Sequence, residues 1–101
     1  MKSDQPNIKA AESRDGFRVA VTWARGRRAG LTDVIDLAAS INGYKLFRPL
    51  RADRQRFEGV RPVDYGWAIA WPERDEDEYL MDIGADTLER MAIKQSADNR
   101  N

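Results

Sequence analysis

Residues 65–72 read Tyr65, Gly66, Trp67, Ala68, Ile69, Ala70, Trp71 and Pro72, and their reading decides the fold. Large and small apolar residues alternate from Trp67 to Trp71. This predicts a strand with Trp67, Ile69 and Trp71 on one face and the flat Ala68 and Ala70 on the other. At about 150 to 250 Å² per aromatic ring, two indoles and an isoleucine on one face place this strand at the centre of the core. Gly66 opens it and Pro72 closes it.

Outside that strand, length and composition set the limits. A chain of 101 residues builds one core and no deep cleft, because a domain of this size removes only about 60 to 70% of its unfolded surface from water. An apolar fraction of 42% with 34% charged residues is globular. The chain holds no cysteine and no histidine. That excludes disulfides and thiolate metal sites, and it removes the commonest general base, pH switch and metal ligand. A reducing cytoplasm fits this composition, and no apolar run follows Lys2, so neither a signal peptide nor a membrane anchor is expected. The formal net charge of zero hides an asymmetry: residues 1–60 hold 12 basic and 7 acidic side chains, and residues 61–101 hold 5 and 10, giving +5 and −5.

Taken in order, Ile8 to Ser13 predicts a strand, Asp15-Gly16 a tight turn, and Phe17 to Trp23 a second strand with Phe17, Val19, Val21 and Trp23 on its buried face. Leu31 to Leu37 predicts a third strand after the basic link Arg25 to Gly30, and Asp36 to Ile41 a helical turn ended by Asn42-Gly43. Pro49 interrupts any helix through it, which predicts a turn over Leu46 to Pro49 and a short helix from Ala52 to Phe57. Val60 to Asp64 reads as a weak strand, because Pro62 removes a donor, hairpinned to Trp67–Trp71. A short strand is expected over Tyr79 to Ile83, then a helix over Ala85 to Lys94 that buries Leu88, Met91 and Ala92. The fold class expected is α+β: a small antiparallel sheet of about five to six strands, with hairpins at 8–23 and 60–71, short helices on one face and a C-terminal helix. Residues 1–7 read as a flexible lead, 8–95 as a single domain and 96–101 as a flexible tail.

The order of these pieces resembles the bacterial family known as domain of unknown function 2442. The residues that carry the resemblance are the Phe17 to Trp23 strand, Asp36-Leu37, Phe47, Pro49, Leu50, Phe57, Val60 and Val63. They continue through Gly66, Ile69, Trp71, Pro72 and Asp82-Ile83 to Asp86, Thr87 and Leu88. The resemblance implies a small bacterial α+β protein with a regulatory or antitoxin-like role and no catalytic residues to carry over. The chain departs from the family pattern in a longer link at Arg25 to Gly30 and an enlarged acidic loop. Some members carry a helix-turn-helix segment, and none is expected after Asn101.

The candidate functional surface is the arginine series Arg27, Arg28, Arg48, Arg51, Arg54, Arg56 and Arg61. Guanidinium forks match phosphate or carboxylate, and Tyr44, Phe47 or Phe57 could stack on a base. The bland alternative is a solvated face over core aromatics. The acidic run Glu73, Asp75, Glu76, Asp77 and Glu78 lacks the glycine and terminal glutamate of a calcium loop and reads as a solvated turn. Trp23, Trp67 and Trp71 read as core anchors with Phe17, Ile69 and Leu88 rather than as a ligand pocket. No nucleophile motif is present, and Ser13 and Ser40 have no histidine to activate them. The chain therefore reads as a non-catalytic protein-binding or regulatory module that needs no cofactor or metal. The expected partner is another small protein, such as one encoded by a neighbouring gene, and a homodimer is allowed; no membrane is involved. The alternatives are a nucleic-acid-binding module on the Arg48 to Arg61 surface and, more remotely, an enzyme using carboxylates near Asp82 and Asp86.

Overall fold

A computed structural model of the chain describes residues 5–72 and 81–98. Its first sheet is a three-stranded antiparallel meander of β1 (Asn7–Arg14), β2 (Arg18–Arg25) and β3 (Thr32–Asp36). Gly16, at φ +68°, makes the expected turn between the first two strands. The alternation of β2 is realised: Val19, Val21 and Trp23 are buried on the inner face, joined by Ile35 from β3, while Phe17 is half-buried at its edge.

Short helices follow as α1 (Ala38–Gly43), a 3-10 turn at Lys45–Phe47, α2 (Arg48–Ala52) and α3 (Arg54–Glu58). Pro49 does not break this run. It lies in the first turn of α2, where its missing N–H is not needed. The helix expected over Ala52 to Phe57 starts later because Asp53 caps it, its carboxylate accepting from the N–H groups of Gln55 and Arg56.

The second sheet orders β4 (Arg61–Val63), β5 (Ala68–Ala70) and β6 (Asp82–Gly84), all antiparallel, and α4 (Ala85–Asp98) completes the chain. The strands thus fall into two sheets rather than one, and each strand of the second is only three residues long. Between β4 and β5 the turn Asp64–Gly66 abuts the start of β1 through one side-chain bond, Asn7 Nδ2–H to the carbonyl of Tyr65 at 2.8 Å. A turn seated there meets β1 without extending its ladder. α4 buries Leu88 and Ala92 as expected and continues four residues past Lys94 to Asp98.

The central strand differs from expectation in one residue that matters. Trp67 adopts a helical conformation (φ −79°, ψ −11°) as the last residue of the turn, so β5 begins at Ala68 and the alternation starts one residue late. Trp67 is 44% exposed and is not a core anchor, whereas Ile69 and Trp71 are fully buried. Ala68 and Ala70 are buried too. Trp71 stacks on Phe57 at 6.1 Å, meets Phe47 edge-on at 6.0 Å and donates its indole N–H to the Phe57 carbonyl at 3.0 Å. One contiguous core joins both sheets to the helices.

Gly66 fixes how the second sheet meets the first. At φ +91° a Cβ would lie 2.6 Å from the Ile8 carbonyl oxygen and 2.5 Å from Asn7 Oδ1. Gly66→Ala is therefore expected to cost more than about 2 kcal/mol, from left-handed strain and backbone collision together. Gly16→Ala, whose Cβ would enter open space, should cost only the strain, about 1 kcal/mol. Urea unfolding of the two variants checks the difference.

Candidate functional site

The arginine series does not form one surface. Three of its seven members, Arg51, Arg54 and Arg56, donate to backbone carbonyls of the fold. Arg51 donates to the carbonyls of Ile41 and Tyr44, closing the end of α1. Arg54 donates to the carbonyls of Gly16 and Arg14, pairs with Glu58 at 3.2 Å and lies 4.9 Å over the Phe57 ring. Arg56 donates from Nε to the Trp71 carbonyl at 3.2 Å. A planar fork with five donors suits this work, because carbonyls at the end of a short helix, as for Arg51, and in a turn, as for Arg54, lack partners of their own.

Arg27 and Arg28 belong to a separate network. Arg28 grips Asp33 with both arms at 2.6 Å, and Trp23 donates its indole N–H to the same carboxylate at 2.7 Å. The Arg28 fork, helped by Trp23, holds the Asp33 carboxyl below the usual carboxylate range against the opposing effect of burial. Arg27 approaches Glu89 of α4 at 4.0 Å, and the other Glu89 oxygen is buried without a partner among the described residues.

Arg48 and Arg61 are exposed and make no hydrogen bond or ion pair among the described residues. Arg48 lies in a stretch, Leu37 to Ala52, that contains no acidic residue. That corner also exposes Tyr44, Lys45 and Leu46. The acidic run 73–78 lies outside the described residues.

A depression of about 500 Å³ opens at the β1–β2 hairpin, lined by Arg14, Arg18 and Arg54 together with Glu12, Asp15 and Glu58. Its charges balance one another. No tryptophan lines it, and neither do Asp82 and Asp86. Asp86 instead accepts from the Thr87 N–H at the start of α4. Among the described residues no group of three or more acidic side chains is placed to hold a metal ion, and no helix is long and apolar enough to cross a membrane.

The feature that the sequence reading missed is the turn at residues 64–67. Asp64, Tyr65 and Gly66 all have positive φ, at +53°, +59° and +91°. Such a conformation costs an L-residue roughly 1 to 2 kcal/mol. The turn is nevertheless well fixed. Trp67 N–H donates to the Asp64 carbonyl at 3.1 Å, Ala85 N–H donates to the Trp67 carbonyl at 2.7 Å, and Asn7 holds Tyr65 from the side. Its Tyr65 side chain is 96% exposed and buries nothing, with half-exposed Trp67 two residues on. The available signal was a bulky aromatic at a turn position that favours glycine or asparagine.

No family model matches the chain, and no curated protein does. The fold is similar to that of the crystal structure of a "putative DNA binding protein" from Nitrosomonas europaea, with a TM-score of 0.69 and 20% identity over 91% of this chain. The chain spans 52% of that protein's length. At such identity the likeness is one of fold.

The Asp33 network makes a pH prediction. Folding lowers the Asp33 pKa, so its contribution is complete above the unfolded value of about 3.9 and is lost as pH falls through the lower folded value. Asp33→Asn should cost about 1 to 3 kcal/mol at neutral pH, by weakening the bonds to Arg28 and Trp23. The gap between variant and parent should close as the pH drops below about 4. Denaturant unfolding as a function of pH measures both.

Proposed function

We propose that the chain is a non-catalytic protein-binding module that docks through the aromatic turn at residues 64–67. The observation that carries this reading is Tyr65, a large side chain fully exposed on a strained backbone where glycine would be cheaper. Strain is retained where it serves binding, and rigid tyrosine and tryptophan are the side chains most often found at the energetic centres of interfaces. The turn is anchored at both ends and from the side, so it presents the pair preorganised, with little ordering entropy left to lose on binding.

A second reading is nucleic-acid binding. Its support is the fold likeness to a protein described as DNA-binding and the acid-free corner with Lys45, Arg48 and the exposed Tyr44. Two or three phosphate contacts there would give a shallow salt dependence, with a slope of about −2 for single strands.

Affinity capture from native extracts separates the two. On the first reading a protein partner is recovered with the parent chain and lost, by about 2 kcal/mol or more, with Tyr65→Gly combined with Trp67→Ser. Folding stability should be unchanged or raised by about 1 kcal/mol, because glycine relieves the strain at residue 65. Retention of the partner by the double variant would end this reading. A gel-shift series with a single-stranded oligonucleotide at low salt tests the second, and Arg48→Ala with Lys45→Ala should abolish any shift.

A further inference from the structure

β3 is an outer strand of the first sheet, and among the described residues its far edge is hydrogen-bonded at Asp36 only. The Leu31 carbonyl accepts from Trp23, and the Leu37 N–H donates to Phe17, so the backbone groups at both ends face β2. Backbone groups alternate along a strand, so those of Asp33 and Ile35 face β2, and those of Thr32, Val34 and Asp36 face outward. Asp36 is satisfied there by α4. Gln95 accepts from its N–H at 2.8 Å and donates to its carbonyl at 3.0 Å, one carboxamide standing in for one residue of a missing strand. The outward groups of Thr32 and Val34 have no partner among the described residues.

An open edge of this kind is a template for another strand. Leu31 and Val34 are 50% and 52% exposed along it, and residues 31–36 contain no lysine, proline or glycine to discourage pairing. The inward Asp33 is no obstacle, because Arg28 and Trp23 already hold its carboxylate on the inner face.

We propose that β3 is a self-association edge, on which a second copy of the chain adds its own β3 antiparallel about a two-fold axis at Asp33. The two three-stranded sheets become one of six strands. Gln95 sets the register. Pairing centred on Val34 would bring Thr32 to Asp36, whose groups Gln95 already holds. Centred on Asp33, Thr32 of each copy faces Val34 of the other, and both free residues exchange N–H···O=C bonds. Asp36 then falls opposite Gly30, which precedes β3 and gives its own N–H to the Trp23 carbonyl, so this register asks for no further pair at the residue Gln95 holds. Each half of the contact sets β-branched Val34 beside β-branched Thr32, and the two Asp33 carboxylates that meet at the axis are each already paired with an Arg28 fork. The closed two-fold arrangement uses up both edges and does not propagate.

The footprint is short, so the association is weak and concentration-dependent. Sedimentation of the full chain from about 10 μM to about 1 mM should show the mass rising toward that of a dimer. The amide protons of Thr32 and Val34 should gain exchange protection over the same range. Val34→Lys places a charge on the edge without touching the core, and it should raise the dimer dissociation constant at least about tenfold with an unchanged thermal melt. Tyr65→Gly should leave the dimer intact, which separates this surface from the docking turn. Three outcomes overturn the proposal. The chain stays monomeric throughout, or the dimer is indifferent to Val34→Lys, or the edge takes a foreign extended peptide while the chain remains monomeric.

Discussion

The structure depends on the packing of Trp71 against Phe57 and Phe47. The Trp71 indole closes the gap between the short helices and the second sheet, and the residue is tied through side chain and main chain alike. Its indole N–H goes to the Phe57 carbonyl, and its main-chain carbonyl receives Arg56. The three-residue strands of the second sheet have little ladder of their own, and isolated short pairings are marginal in water. What holds them is burial: Ile69, Trp71 and Ile83 lie in the same core as Val19, Val21 and Ile35 of the longer sheet. A fully buried side chain of this kind contributes roughly 1.5 to 3 kcal/mol, so a few such contacts outweigh everything the short ladders supply.

The same shortness explains the arginines. A helix of five residues ends almost as soon as it begins, and its carbonyls must find donors elsewhere or stay wet. Arg51 answers that need at the end of α1, and Arg54 does comparable work outside the helices by holding the Arg14 and Gly16 carbonyls of the first hairpin. Charge density that reads along the chain as a nucleic-acid surface is thereby largely converted into structural bonds. What remains of the series for an external anion is Arg61 and the corner around Lys45 and Arg48, a much smaller electrostatic footprint than seven guanidinium groups would give.

Most of the α+β architecture was legible because β2 alternates over its full length and the Asp15-Gly16 turn has its own chemistry. α4 was legible from the spacing of Leu88 and Ala92, although its end was not, since no glycine or proline stops it. The division into two sheets was not legible. It follows from the seating of Gly66 against Ile8, a contact between residues 58 positions apart that no local pattern encodes. The misplacement of Trp67 has the same origin: the alternation runs unbroken into the turn, and the left-handed conformation of Asp64 and Tyr65 takes Trp67 alone out of the strand. The arginine roles were hidden because their acceptors are main-chain oxygens, which carry no sequence signature.

That shift is also what gives the molecule an exterior worth recognising. Had the strand begun at Trp67, as its alternation favours, the indole would have joined Ile69 and Trp71 inside and Tyr65 would have had no rigid support. The left-handed turn instead gives up core burial worth about 2 kcal/mol and adds strain of similar size, against a total stability that for such domains is typically about 5 to 15 kcal/mol. A glycine or asparagine at residue 65 would recover part of that at once. The proposed docking role gives the exposed Tyr65 ring a use that sets against this cost, and the three bonds that pin the turn hold it in one place.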